Sequence, residues 1–185
     1  MDKELALMRI AGKIARCRGC KEGCSGRAVP GEGNSDARVV FIGEAPGREE
    51  AKTGRPFVGR SGKLLRQTIR EAGLSEDDVF ITSPVHFLPD RGTPTKEMIR
   101  HGRVHLYEQL AIIDPDLVVL LGNSACTALL DTKVELTKQH GTTVRKDGRT
   151  FFITFHPAYA IRFTEGKRLF LEDFARLQRM IRTGR

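Results

Sequence analysis

The sequence predicts an α/β fold: a three-layer α/β/α sandwich on a mainly parallel central sheet of about four strands. Three observations lead there. Apolar, β-branched runs recur at 38–42, 79–85, 117–121 and 149–155, each too short for a helix. Segments of helical periodicity separate them, which is the alternation of βαβ units. A glycine-rich turn, Gly43-Glu44-Ala45-Pro46-Gly47, directly follows the first run, where an open α/β sheet leaves a ligand crevice.

In order along the chain, residues 2–16 place Leu5, Met8, Ala11 and Ala15 on one face of a short amphipathic helix. A Gly/Pro/Asn/Ser/Asp loop over 25–37 leads to the first strand. Behind the glycine-rich loop, Leu64, Leu65, Thr68, Ile69 and Ala72 recur at helical spacing, and Gly73 stands where a helix ends. Ser75 to Asp78 make a polar turn before the second strand, which its Pro84 stops. Thr95 caps a helix that buries Met98, Leu106 and Leu110 and ends at Asp114-Pro115. The third strand, Leu117–Leu121, is followed by a short helix opened by Gly122-Asn123-Ser124. Residues 142–146 and 149–155 form a hairpin around Asp147-Gly148, its second arm running into His156-Pro157. A helix over 167–182 closes the chain with Phe170, Phe174, Leu177 and Ile181 inward. Parallel strands share one C-terminal edge, so Glu44, Ser83, Asn123 and His156 are expected to gather there.

The 185 residues are read as one domain, with a cysteine-containing segment at about 1–30. A net charge of +8 and a pI near 9.6 favour a polyanionic partner, nucleic acid before membrane. No apolar run is long enough to span a bilayer and Met-Asp-Lys-Glu opens no signal peptide, so a cytoplasmic, nucleoid-associated location is expected. Monomer is the default. Cys17, Cys20 and Cys24 form C-x-x-C-x-x-x-C, which in an intracellular chain suggests a metal or iron–sulfur cluster before disulfides, while Cys126 reads as a core residue.

The loop from 43 to 62 holds five glycines, and between Arg48 and Arg70 stand seven Lys/Arg against two Glu. It matches neither the phosphate-loop pattern nor the dinucleotide fingerprint. Alone it supports a basic crevice at a strand end. Gly43-Glu44-Ala45-Pro46-Gly47, then Gly54-Arg55-Pro56-Phe57-Val58-Gly59, then His156-Pro157-Ala158-Tyr159-Ala160-Ile161-Arg162, in that order and at strand ends, resemble the uracil-DNA glycosylases of family 4, the bacterial and archaeal iron–sulfur type. The likeness runs from about Cys17 to the last helix.

The resemblance implies a monofunctional base-excision enzyme that flips uracil out of single- or double-stranded DNA and hydrolyses its N-glycosidic bond. His156 would donate to the base O2 as charge develops there, and Glu44 would orient water or stabilise the cationic sugar. Phe57 would stack on the base from an exposed loop tip. Gly43, Ala45 and Gly47 would offer backbone amides, and Ser83 and Asn123 would read the base edge. Tyr159, Ala160 and Ile161 would wedge into the duplex, and Arg55, Arg60, Ser61, Lys63 and Arg162 would contact phosphates.

Two positions depart from the family pattern. Ser83 stands where the family has an asparagine that reads N3 and O4, so another deaminated base, hypoxanthine or xanthine, becomes an alternative substrate. A DNA-binding relative without catalysis is a further one. The family's 4Fe–4S cluster takes four cysteines, but Phe87 and His101 occupy the two later positions. Cys17, Cys20, Cys24 and His101 are then the ligand candidates, for iron–sulfur, for zinc, or for no metal.

Overall fold

The computed structural model describes residues 2–130, 132 and 134–183. The chain opens with helix α1 (Lys3–Arg16), whose N-cap Asp2 accepts the Leu5 amide at 3.1 Å. Its inward residues are Ile10 and Ile14. This corrects the expected face: Leu5 is 45% and Met8 64% exposed, because the helix packs on α5 rather than on the sheet. A four-residue turn of helix, α2 (Arg18–Lys21), carries Cys20, and β1 (Cys24–Ser25) and β2 (Glu32–Gly33) come after it.

The first interior strand, β3 (Val39–Ile42), leads through the glycine-rich turn into α3 (Arg48–Thr53) and α4 (Arg60–Glu71). Then come β4 (Val79–Thr82), the two-residue β5 (Leu88–Pro89), and α5 (Lys96–Ile113), capped by Thr95 as expected and ended by Asp114 at φ 53°. Next are β6 (Leu117–Leu121), α6 (Asn123–Leu129) and α7 (Leu136–Gln139). The hairpin β7 (Thr142–Lys146) and β8 (Arg149–Thr154) turns through Asp147 and Gly148, both at positive φ. Last are α8 (Pro157–Arg162), with proline in its first turn, and α9 (Thr164–Thr183).

The main sheet has six strands in the order β2-β4-β3-β6-β8-β7, two more than expected. The four interior strands β4, β3, β6 and β8 are mutually parallel and match the apolar runs. The additional two are antiparallel edges: β2 is too short to show a period, and β7 is mostly polar and half-exposed. Alternate residues separate the layers. Val40, Ile42, Val118, Leu120 and Ile153 pack under α5 and α6. Val39, Phe41, Val119, Leu121 and Phe152 pack under α4 and α9. Cys126 is buried in the first of these layers. Among the described residues, no helix is long and apolar enough to cross a membrane.

Strand register aligns the loops. Thr82, Ile42, Leu120 and Ile153 lie in one row across the four parallel strands. The loops after β3, β4, β6 and β8 therefore leave the sheet along one edge.

Candidate functional site

Glu44, Phe57, Ser124 and His156 meet at that edge. Glu44 lies just past β3, and its Oε2 accepts the Ser124 hydroxyl, from the first turn of α6, at 2.6 Å. Gly122, which precedes α6 with φ 86°, brings the two strand ends together: a Cβ there would stand 3.1 Å from the Cβ of His156. His156 caps α8, taking the Ala158 amide on Nδ1 at 3.2 Å. An amide only donates, so Nδ1 carries the lone pair and the neutral ring holds its proton on Nε2. Burial lowers the His156 pKa, and the carboxylates of Glu44 and Glu50 pull it partly back.

Phe57 corrects one expectation. It is a buried residue, 9% exposed, rather than an exposed tip. Its ring lies 5.8 Å from that of His156, and a Cβ on Gly43 would come within 2.5 Å of it. Gly62 passes so close beneath that a Cβ would sit 2.0 Å from the Phe57 carbonyl. The glycines thus make room for an aromatic ring against the end of β3, with Phe57 itself held at φ 52°.

Two residues that the sequence reading missed hold this arrangement. Glu50, buried in α3, accepts the amides of Gly47 at 3.1 Å, Val58 at 2.9 Å and Gly59 at 2.8 Å, tying the two glycine-rich segments together. A glutamate three residues after the helix-capping glycine was the available signal. Arg66, on α4, donates to the carbonyls of Pro56 at 2.8 Å and Phe57 at 3.0 Å and pairs with Glu32 and Glu76. Nothing in the pattern separates it from its basic neighbours. A third, Asp173, is fully buried on α9, accepting from Thr154 at 2.7 Å and facing His140 Nδ1 at 2.9 Å. It anchors the end of β8 just before His156, and an acid on the apolar face of Phe170, Phe174 and Leu177 was its sign.

The other expected residues are more varied in their surroundings. The Gly43 amide is engaged by Thr82 O at 2.9 Å and that of Gly47 by Glu50, which leaves Glu44 and Ala45 as the turn's candidate donors. Ser83 is buried, its hydroxyl donating to Val85 O at 2.8 Å. Asn123 is exposed in the first turn of α6. Arg60, Lys63 and Arg162 are exposed and Ser61 half-buried, whereas Arg55 pairs with Glu32 at 2.8 Å. Ala160 is buried and Ile161 half-buried. Tyr159 stacks on Phe155 at 4.9 Å and meets Phe163, 45% exposed, at 4.9 Å, with Arg162 over the Phe163 ring.

A second polar group lies in the N-terminal segment. One ligand atom each from Cys17, Cys20 and His105 lie within 4.8 Å of one another. His101 Nε2 stands 3.2 Å from Cys17 Sγ, while Cys24 sits on β1, paired with Pro89. Partial burial would raise the Cys17 thiol, but hydrogen bonds with His101 and His105 outweigh it and bring it to about 6. Burial and the neighbouring Cys17 push Cys20 up to about 12. His105 was not among the expected ligands.

Residues 30–178 match the sequence profile of the Uracil DNA glycosylase superfamily. The chain is 39% identical over 179 residues to a Type-4 uracil-DNA glycosylase of Thermotoga maritima, covering 94% of this chain and 93% of that one. It is 36% identical to the Type-4 uracil-DNA glycosylase of Saccharolobus solfataricus, over 91% and 83% of the two chains. Against a Type-5 uracil-DNA glycosylase of Pyrobaculum aerophilum the identity is 32%, over 72% and 66%.

Proposed function

The chain belongs to the uracil DNA glycosylase superfamily, and from that premise we propose that it excises uracil from DNA by hydrolysing the N-glycosidic bond at the sheet edge formed by Glu44, Phe57 and His156. The observation that carries this is the convergence of a carboxylate, an aromatic ring and a neutral histidine on one strand edge. A flipped base has its face against Phe57, where stacking demands no particular hydrogen-bond pattern. As the bond between C1′ and the base nitrogen breaks, its electron pair leaves with the base and spreads to O2. The His156 Nε2–H donates to that oxygen without having to be charged first. The Glu44 carboxylate, steadied by Ser124, faces the cationic sugar and takes the proton from the water that adds to C1′.

Base choice falls to Ser83 in the same reading. Its proton is already given to Val85, so toward a base it acts as an acceptor. An acceptor suits the ring N–H of uracil and opposes cytosine, whose ring nitrogen carries a lone pair. Hypoxanthine and xanthine also present a ring N–H, and this favours them as the second reading. DNA is held through Arg60, Ser61, Lys63 and Arg162, with Tyr159, Ile161 and Phe163 as the apolar surface against the opened stack. Residues 1–185 act as one domain.

As for a cofactor, the residues support a metal-capable Cys/His group but do not fit a four-thiolate 4Fe–4S cluster. Phe87, at the position of one expected cysteine, is a buried core residue packed with Ile10, Ile14 and Cys20. No step of the hydrolysis runs through the group.

Labelled oligonucleotides carrying uracil, hypoxanthine or xanthine, incubated with protein and then cleaved by alkali, test the assignment. Cleavage at uracil is expected. Cleavage at another base and not at uracil favours the second reading, and binding without any cleavage overturns the enzymatic one.

A further inference from the structure

We propose that Cys17, Cys20, His101 and His105 form a mononuclear zinc-type site that fastens the N-terminal segment to α5, in place of an iron–sulfur cluster. The inference does not depend on which base the enzyme removes. The spacing is C-x2-C in one segment and H-x3-H in the other. That is the ligand spacing of tetrahedral Cys2His2 zinc sites. The two histidines stand four residues apart on α5, one helical turn, and so share a face.

Distances favour one ion over a cluster. Ligands sharing a tetrahedral zinc lie roughly 3.4–3.8 Å apart, from metal–sulfur and metal–nitrogen bonds of about 2.3 and 2.0 Å. Cys17, Cys20 and His105 already converge to within 4.8 Å, and His101 touches Cys17 at 3.2 Å. In a cubane each thiolate binds its own iron, so the ligands bracket an inorganic core instead of meeting at one point. Phe87, where a further cysteine would be needed, is buried against Ile10, Ile14 and Cys20 and offers no ligand atom.

The surroundings suit the same assignment. Gly19, between the two cysteines, lets the His101 ring close over the loop: a Cβ there would lie 2.6 Å from its Cε1. His105 Nδ1 faces Glu108 at 3.5 Å, and Glu108 is held by Lys13 at 2.8 Å. A carboxylate behind Nδ1 leaves Nε2 for the metal and orients the ring, an arrangement usual around metal-bound histidines. The converging group of three contains neither Cys24 nor His101. His101 is taken as the fourth ligand because its Nε2 already stands 3.2 Å from Cys17 Sγ and its ring lies over Gly19 between the two cysteines.

The test uses the full chain, purified anaerobically and assayed for zinc, iron and acid-labile sulfide, then reloaded with cobalt. About one zinc per chain, no sulfide, and a cobalt spectrum with tetrahedral ligand-field bands and the thiolate charge transfer of two cysteines are expected. His105→Ala and His101→Ala lower the metal content several-fold, and Cys24→Ala leaves it unchanged. Stoichiometric iron and sulfide overturns the proposal, as does a folded protein that takes up neither zinc nor cobalt. Retention of metal by His101→Ala with loss by Cys24→Ala overturns the ligand set. Should a histidine variant fail to fold, the wild-type cobalt spectrum still decides, since three thiolates absorb more strongly than two.

Discussion

The strand-edge site and the cysteine–histidine group are both polar clusters drawn from distant parts of the chain, yet they are held in different ways. At the edge, register does the placing: four parallel strands end in one row, and Glu44, Ser124 and His156 each stand within three residues of a strand end. In the N-terminal segment the sheet contribution shrinks to the two-residue antiparallel pairing of β1 with β5. Helices and a loop are laid against α5 and the β5 segment through Ile10 and Ile14 with Phe87 and Ile112, the Lys13–Glu108 pair, the Lys3 ammonium on the Ile113 carbonyl, and the cysteine–histidine group itself. A site built on strand ends tolerates changes in its loops because the frame is rigid without them. A site built on loops needs its own ligand to complete it.

The sharpest way to break the first region is His156→Ala. Losing one donor to a developing oxyanion slows base release by about 10²–10³-fold while DNA binding persists, as single-turnover cleavage and a gel-shift titration would read. Glu50→Ala comes next. Three amides lose a charged acceptor, and the two glycine-rich segments come apart, at a stability cost of about 3 kcal/mol measured by denaturant unfolding. An unchanged unfolding midpoint would mean that the loops hold themselves. Ser124→Ala removes only the hydroxyl that steadies Glu44, so about a fivefold fall in kcat with KM retained is expected, roughly 1 kcal/mol for one hydrogen bond. The smallest effect on base release separates the two regions. If the proposed zinc is bound, chelating it should lower the melting temperature but leave kcat within about twofold. The hydrogen bonds given above for Glu44, Ser124 and His156 involve none of its four proposed ligands. A proportional loss of activity and metal would join the two regions after all.

Much of the first region was legible in the sequence, and the reason is local. Glu44 and His156 each stand just past a run of β-branched and aromatic residues, so finding the strands locates them. The Thr95 cap, the Asp114 stop and the Asp147-Gly148 turn were legible for the same reason: each acts within four residues of itself. Apart from Glu50, whose capping contact with Gly47 is local, what escaped notice acts at a distance. Arg66 reaches back to the carbonyls of Pro56 and Phe57, and Asp173 reaches across to Thr154, contacts that no periodicity encodes. The hairpin arm that becomes β7 was legible from its turn, whereas β2 was not, because a two-residue edge carries no periodicity. The face of α1 was misjudged because its partner, α5, is a helix far along the chain. The metal group shows the same limit. C-x-x-C is visible at once, but His105 becomes a ligand candidate only when α5 is seen to pass over it.

At the centre of the account is a neutral His156 with its proton on Nε2, aimed at the sheet edge. Nitrogen-15 NMR of the imidazole through a pH titration measures both properties directly. Because burial depresses this pKa, the neutral form should dominate at pH 7 and the titration midpoint should fall below the ordinary value of about 6.5. The folded state then binds fewer protons there than the unfolded one, and stability declines as pH falls through the unfolded value. The expected spectrum at pH 7 has an unprotonated Nδ1 and a protonated Nε2. A ring that is charged at pH 7, or one protonated on Nδ1, would contradict the account.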